Sequence, residues 1–243
     1  MVSIPLNHAF SLSIIIPCFN EEKTLGRCID RVMKLADKGL SLEVIIVDDG
    51  SRDNSLLTAN NLATKFSEIT VLSHKKNMGK GAALRTGFGI ATGDFIAVQD
   101  ADLETNPEEL KGLIVPLMDD EGDVVYGSRF LHTGRAGFLS PGHYWGNRFL
   151  TSLSNLLTGL RLTDMMTCYK VFKREVIEQL DIREEGFGIE PEITARIARK
   201  DLRIKEMGIS YNARSYSEGK KIRIKDAIRA AYCILYYNMF SRP

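Results

Sequence analysis

Apolar runs alternate with helical patterns along the first half of the chain. Predominantly apolar segments, typical of strands buried on both faces, occur at 12–16, 44–47, 69–72 and 95–98. Apolar residues recur at helical spacing over 21–38, 54–66 and 80–91. Strands that alternate with helices in this way predict a mostly parallel sheet flanked by helices on both faces, which is an α/β fold.

The second half of the chain shows a less regular alternation. Strand patterns are found at 124–126, 169–172 and 203–207. Helical patterns are found at 143–159, 173–180, 190–200 and 222–240. No internal repeat or low-complexity linker interrupts these elements, so we expect a single domain over residues 1–243. Within it, residues 222–243 are predicted to form an amphipathic C-terminal helix.

Polar clusters follow three of the predicted strands. They are Pro17–Glu21, Asp48–Ser51 and Asp100–Glu104. Ligands of parallel sheets bind beyond the carboxyl ends of the strands, so these clusters are candidate site residues.

Asp100 and Asp102 are the most informative pair, because they lie one residue apart directly after a buried strand. Backbone alternation sends both carboxylates to the same side of the chain. Such a pair suits Mg²⁺ or Mn²⁺, and Glu104 could supply a third oxygen. The alternative is a polar strand end followed by a helix cap at Thr105–Glu108.

Two further motifs allow both a binding and a structural interpretation. Asp48-Asp49 could accept hydrogen bonds from the base or ribose of a nucleotide, or could simply shape a turn with the following Gly and Ser. Gly79-Lys80-Gly81 precedes a helix whose start could hold a phosphate, although a plain turn is the alternative. Neither motif has the spacing of a P-loop or of a dinucleotide-binding fingerprint.

Several arginines and lysines are placed where they could bind phosphate. Arg129 directly follows a strand and Arg148 lies on the next long helix, and arginine forks suit phosphate oxygens. Arg214 and Lys220 precede the terminal helix, where cations could bind a diphosphate or an anionic lipid surface. A solvated charged surface is the alternative in each case.

Composition narrows the functional classes and the compartment. The formal net charge of +1 gives no support for a nucleic-acid partner, and the four cysteines lack the spacing of a zinc site. The N terminus has no signal-peptide pattern, and no stretch approaches the roughly 20 apolar residues of a membrane span. We therefore expect a cytoplasmic protein. For the helix of 143–159 and for the terminal helix, binding to a membrane surface, core packing and homo-oligomer formation are open alternatives.

The motifs, taken in order, resemble those of family 2 glycosyltransferases. The matching stretches are Ile14–Glu22, Val47–Ser51, Asn77–Gly81, Asp100–Asp102 and Gly127–Arg129. They are most similar to the dolichyl- and polyprenyl-phosphate mannosyl- and glucosyltransferases. The resemblance implies a GT-A fold, a UDP- or GDP-linked sugar donor, and Mg²⁺ or Mn²⁺ as cofactor.

The resemblance also implies roles for individual residues. The residues that would bind the donor are Pro17, Phe19, Glu21, Val47, Asp48, Asp49, Lys80, Asp100, Ala101, Asp102, Arg214 and Lys220. Metal binding falls to Asp100, Asp102 and Glu104, and binding of the acceptor phosphate to Arg129 and Arg148. Catalysis falls to Asp102, Arg129 and Asp164. The chain departs from the family where relatives often carry Tyr at Phe19 and Gln at Glu104, and in a longer glycine-rich connector before Arg148.

The choice of acceptor decides whether the reaction needs a general base. Family 2 resemblance implies direct displacement with inversion at the anomeric carbon. A lipid phosphate is anionic at neutral pH and can attack once it is positioned. A saccharide hydroxyl needs a base, for which Asp164, Glu190 and Glu192 are candidates. The predicted function is sugar transfer to a polyprenyl phosphate, with transfer to a saccharide hydroxyl as the alternative.

Overall fold

The computed structural model describes residues 10–37, 39–132, 141–214 and 224–240. The strands in these ranges are β1 (Phe10–Cys18), β2 (Leu40–Asp48), β3 (Ile69–Ser73), β4 (Phe95–Val98), β5 (Val124–Ser128), β6 (Lys170–Lys173) and β7 (Ile204–Gly208). They form one sheet in the order β3-β2-β1-β4-β6-β5-β7. The pattern of apolar runs therefore predicted the strands correctly.

Helices connect the strands and cover the sheet. They are α1 (Leu25–Val32), α2 (Ser55–Lys65), α3 (Lys80–Phe88), α4 (Leu110–Met118), α5 (Arg129–His132), α6 (Pro141–Thr158), α7 (Arg174–Glu178), α8 (Ile189–Arg199) and α9 (Ile224–Met239). Short 3₁₀ turns occupy Met33–Leu35 and Pro107–Glu109. Asn106 caps the second turn by accepting a hydrogen bond from the Glu108 amide at 3.3 Å, as the cap interpretation of this stretch predicts.

Strand direction places the carboxyl ends of β1, β2, β4 and β5 at one edge of the sheet. β1 pairs in parallel with β2 and β4, and β2 with β3. β6 runs antiparallel between β4 and β5, while β5 pairs in parallel with β7. The residues that follow β1, β2, β4 and β5 therefore share an edge, so Glu21, Asp49, Asp100 and Arg129 are brought to the same side of the molecule.

Two apolar clusters pack on opposite faces of the sheet. One contains side chains of α1 and α4, and the other contains side chains of α3, α6, α8 and α9. Neighbouring strand residues such as Ile14 and Ile15 belong to different clusters, and both are fully buried. Burial on both faces is the reason that these strands read as continuous apolar runs. The packing on both faces also fixes the positions of the strand ends that carry the polar residues.

Candidate active site

The two aspartates after β4 lie among cations at the polar edge of the sheet. Lys80 donates from Nζ to Asp100 Oδ1 at 2.6 Å. Arg214 Nη2 lies 3.3 Å from Asp102 Oδ2, and the Glu104 amide donates to Asp102 Oδ1 at 3.0 Å. The carboxylates thus adjoin two cations from distant parts of the chain.

The pKa shifts of this pair indicate that an additional cation would stabilise the ionised carboxylates. Burial, together with the Asp100 and Glu104 carboxylates, raises the pKa of Asp102 to about 7. Burial alone would also raise the pKa of Asp100, but the Lys80 ammonium outweighs it and lowers that pKa below its ordinary value. Oxygen donors under mutual repulsion fit a hard divalent cation. In the described residues no three His, Cys, Asp or Glu side chains are grouped as a metal site.

Glu104, the predicted third metal ligand, is bonded to another part of the chain. Its carboxylate accepts from the Tyr211 hydroxyl and from the Arg214 amide, each at 2.8 Å. Its carbonyl oxygen accepts from the Asn212 amide at 2.8 Å. Residue 104 thereby fixes segment 211–214, which brings Arg214 within 3.0 Å of Glu21 Oε2 as well as close to Asp102.

The predicted donor residues of β1 and β2 lie together at the ends of these strands. Pro17 pairs with Val47 in the parallel register, and the half-buried Phe19 follows one strand end. Glu21 is buried, and its amide donates to Ser55 Oγ at 2.7 Å. Ala101 is likewise buried, between the two aspartates. Lys220 lies outside the described residues.

The adjacent aspartates after β2 have different surroundings. Asp49 accepts from the amides of Met78 and Gly79, at 2.9 and 2.7 Å, and contacts His74 Nδ1 at 2.7 Å. Asp48 accepts from the Ser51 amide at 3.1 Å through Oδ2, while its buried Oδ1 has no hydrogen-bond partner among the described residues. Asp49 therefore anchors the glycine turn, and Asp48 keeps an unsatisfied acceptor.

Arg129 and Arg148, the predicted acceptor residues, converge on residues 163 and 164. Asp164 is fully buried and accepts from Arg129 Nε at 2.7 Å, from Nη2 at 2.8 Å and from the backbone amide at 3.1 Å. Arg148 Nη1 lies 3.4 Å from the Thr163 carbonyl oxygen. Burial lowers the pKa of Arg129, but the Asp164 carboxylate outweighs it and raises that pKa above its ordinary value. The Arg129 guanidinium is thus held charged and in a fixed orientation.

The three candidate general bases are all engaged by cations. Both oxygens of Asp164 accept from Arg129. Glu190 forms an ion pair with the buried Lys170. Glu192 is fully buried and accepts from Arg196 Nε at 2.9 Å. These contacts suit structural support better than proton abstraction.

A family model described as "Glycosyl transferase family 2" matches residues 13–181, which is more than half of the chain. The chain belongs to glycosyl transferase family 2. This confirms the family resemblance of the ordered motifs.

Curated relatives of this family 2 chain carry names of lipid-phosphate sugar transferases. A dodecaprenyl-phosphate galacturonate synthase of Rhizobium johnstonii is 28% identical over 215 residues, covering 87% of this chain and 62% of the relative. A dolichyl-phosphate beta-glucosyltransferase of Trichomonas vaginalis is 27% identical over 247 residues, covering 95% of this chain and 74% of the relative. The chain thus spans between about 60% and three quarters of the length of these two relatives.

Solved structures show that this family 2 chain has the GT-A fold. Glucosyl-3-phosphoglycerate synthase from Mycobacterium tuberculosis, in complex with Mn²⁺, uridine diphosphate and glucosyl-3-phosphoglycerate, superposes with a TM-score of 0.71 at 20% identity. The match covers 96% of this chain and 81% of that chain. The same enzyme with Mg²⁺ and uridine diphosphate gives a TM-score of 0.73 at 19% identity.

The helices in the part of the chain that the structure describes do not meet the requirements of a membrane span. There, no helix combines the length and the apolar character that a membrane span needs.

Sequence reasoning missed two features of the site. His74, the first residue after β3, bridges Asp49 and the Thr86 hydroxyl, which lies 3.0 Å from its Nε2. Its position at the carboxyl end of a strand was the available signal. The backbone of Glu184 and Glu185 packs against the glycine turn, and no local sequence pattern marks this contact.

Proposed function

We propose that this protein is a metal-dependent, inverting hexosyltransferase that moves a sugar from a nucleotide-sugar donor to a polyprenyl phosphate. The observation that carries the proposal is the acceptor corner, where Arg129 and Arg148 contact residues 163 and 164 and the Asp164 carboxylate is engaged by Arg129. Arg129 and Arg148 can bind phosphate oxygens, whereas the nearby carboxylate of Asp164 is occupied by Arg129. This arrangement suits a phosphate acceptor, which requires cations and no base.

The polar edge of the sheet supports a nucleotide-sugar donor. The unsatisfied Asp48 Oδ1 is a buried acceptor for an N–H or O–H group, which a base or a ribose can supply. Lys80 and Arg214 are cations on either side of the aspartate pair and can bind diphosphate oxygens. Charge of this kind stabilises the leaving nucleoside diphosphate as the sugar–oxygen bond breaks.

Asp100 and Asp102 are the residues that would hold Mg²⁺ or Mn²⁺. Their oxygen donors and the raised pKa of Asp102 suit a divalent cation. When bound, the metal neutralises developing charge on the diphosphate. Glu104 contributes by fixing Arg214, since its carboxylate is bonded to segment 211–214.

The names of the relatives support a lipid phosphate as acceptor. Dodecaprenyl phosphate and dolichyl phosphate appear in the names of the two relatives described above. The structural neighbour is bound to glucosyl-3-phosphoglycerate, and at 20% identity that likeness supports the fold alone.

A membrane surface is the matching partner for such an acceptor. On α6 the exposed side chains Trp145, Phe149 and Leu156 lie at helical spacing beside Arg148. Aromatic and apolar side chains on one helix face suit insertion at a lipid interface.

We expect Trp145→Ser with Phe149→Ser to lose binding to anionic vesicles in a sedimentation assay. Leu57→Ser, which removes an exposed leucine on the distant α2, is the control and keeps binding.

A transfer assay tests the proposed function. The protein is incubated with UDP- and GDP-linked hexoses, Mn²⁺ or Mg²⁺, and a short polyprenyl phosphate. The proposal predicts a sugar-phosphate-polyprenol product, and no product with the corresponding polyprenol. Transfer to a saccharide hydroxyl in the absence of any lipid-phosphate product would overturn it.

A further inference from the structure

Segment 183–185 lies directly across the glycine turn, Gly79-Lys80-Gly81, with which α3 begins. The Glu185 carbonyl oxygen accepts from the Ala82 amide at 3.1 Å, so it satisfies one of the free amides at the start of the helix. A Cβ at Gly81 would lie 2.2 Å from the Glu184 carbonyl oxygen, and one at Gly79 would lie 2.4 Å from that of Glu185. Only glycine permits this close approach of two backbones.

Glu192, in the first turn of α8, holds this segment in place from the other side. Its buried carboxylate accepts from the amides of Arg183 and Glu184, at 2.9 and 2.6 Å. Arg196 Nε donates to the same carboxylate at 2.9 Å and balances its charge. A carboxylate that accepts several charge-assisted bonds from backbone amides fixes the path of that backbone.

The glycine turn in turn determines where the Lys80 ammonium lies. Lys80 sits between the two glycines, and its Nζ is 2.6 Å from Asp100 Oδ1. The Gly79 amide is fixed on Asp49 Oδ2 at 2.7 Å, which secures the turn at its first residue. Segment 183–185 secures the turn at Ala82, so a shift of this segment would move Lys80 relative to Asp100.

We propose that Glu192 is a positioning residue that acts through segment 183–185 to hold Lys80 against Asp100. This inference rests on the proposed function only in assigning the Lys80 ammonium to the donor diphosphate. Glu192 thereby has a role distinct from that of a general base. Its carboxylate is fully buried, and its replacement is expected to displace the Lys80 ammonium.

Two variants disturb the contact from opposite sides. Glu192→Gln removes one acceptor oxygen and the charge beneath the segment. Gly81→Ala introduces a Cβ against the Glu184 carbonyl oxygen and leaves Glu192 intact. The matched controls are Glu178→Gln, at an exposed carboxylate on α7, and Gly112→Ala, where a Cβ meets no atom within 4 Å.

Two readouts on the ligand-free protein test the positioning itself. Amide hydrogen exchange of a peptide over 79–84 reports the Ala82 hydrogen bond. Amine labelling of Lys80, followed by mass spectrometry, reports whether its ammonium remains buried against Asp100. We expect both rates to rise about tenfold in Glu192→Gln and Gly81→Ala, and to stay unchanged in the controls. Unchanged exchange or unchanged labelling in the two folded variants would overturn the inference.

A third readout connects the inference to the donor site. With Mn²⁺ present, we expect the Kd for UDP or GDP to rise about tenfold in both variants, because a charge-assisted contact to the diphosphate is lost. An unaltered Kd despite faster Lys80 labelling would also overturn the inference. If the unmodified protein binds neither nucleotide, the proposed function fails, and exchange and labelling still decide the role of Glu192.

Discussion

Replacing Asp164 by Asn separates two roles for this residue, namely a general base and a support for Arg129. Asn has nearly the same shape as Asp but lacks the charge and one acceptor oxygen. In the structure Asp164 is fully buried, and it accepts from Arg129 Nε, Nη2 and the backbone amide at 2.7, 2.8 and 3.1 Å. The substitution therefore leaves a guanidinium that is only 11% exposed without its counter-charge.

The expected loss of stability follows from this geometry. Breaking a buried ion pair by removing one partner costs about 3–5 kcal/mol, and Asn retains one of the acceptor contacts, so we expect the lower end, about 3 kcal/mol. For a chain of this size, 1 kcal/mol shifts Tm by roughly 2–4 °C, so the expected shift is about 6–12 °C. Asp181→Asn is the matched control, because Asp181 pairs with Arg183 on the surface, where both side chains are more than 60% exposed. A surface pair contributes at most about 1 kcal/mol.

Thermal denaturation and steady-state kinetics measure the two effects separately. Well below Tm, we expect Asp164→Asn to raise the KM for the polyprenyl phosphate and to leave the pH dependence of kcat unchanged. A general base contributes about 10²- to 10⁴-fold to the rate. If kcat fell by that amount at unchanged Tm and unchanged acceptor KM, the support role assigned to Asp164 would be refuted.

Two further predictions concern the metal ligands and the acid stability. We expect Mn²⁺ to raise the Tm of the unmodified protein and of Glu104→Gln, because the Glu104 carboxylate is bonded to Tyr211 and is not needed for the metal. We expect no such rise in Asp102→Asn, which lacks a proposed ligand. An Mn²⁺-dependent rise in the Tm of Asp102→Asn would count against the metal assignment. Hydrogen bonds from Arg203 hold the pKa of Asp123 below its ordinary value of 3.8. The ionised Asp123 carboxylate therefore stabilises the folded state above about pH 4, and this stabilisation is lost as the pH falls further. The Tm difference between the unmodified protein and Asp123→Asn should therefore shrink between pH 5 and pH 2, and a constant difference would contradict the assignment.

Much of the fold could be predicted from the sequence, because burial of a strand requires apolar residues along that strand. Strands covered on both faces, such as 44–47, must be apolar at every position, and this is visible without the structure. The gathering of the polar clusters after β1, β2 and β4 at one edge of the sheet was equally predictable, since parallel strands end at a common edge. Asp100 and Asp102 were found in this way.

The antiparallel strand and the long-range partners could not be predicted in the same way. Apolar runs look alike in parallel and antiparallel strands, so β6 gave no sign of its direction. The pairing of Arg129 with Asp164 joins residues 35 positions apart, and the bond between Glu104 and Tyr211 joins residues 107 apart. Such contacts are set by how the elements pack, and the sequence around each residue does not record the partner. The role of Glu192 is of the same kind, because it depends on segment 183–185 meeting the glycine turn.

Sugar transfer to a lipid phosphate is the most direct test of the central claim. The purified protein would be given each nucleotide sugar with Mn²⁺ and an equimolar mixture of a short polyprenyl phosphate and a saccharide acceptor, and the products would be resolved by mass spectrometry. The acceptor corner, with its engaged Asp164 carboxylate, predicts a polyprenyl-phosphate sugar as the product, and the family 2 resemblance implies that the anomeric configuration is inverted. A product formed on the saccharide hydroxyl alone, or a retained configuration, would contradict the account.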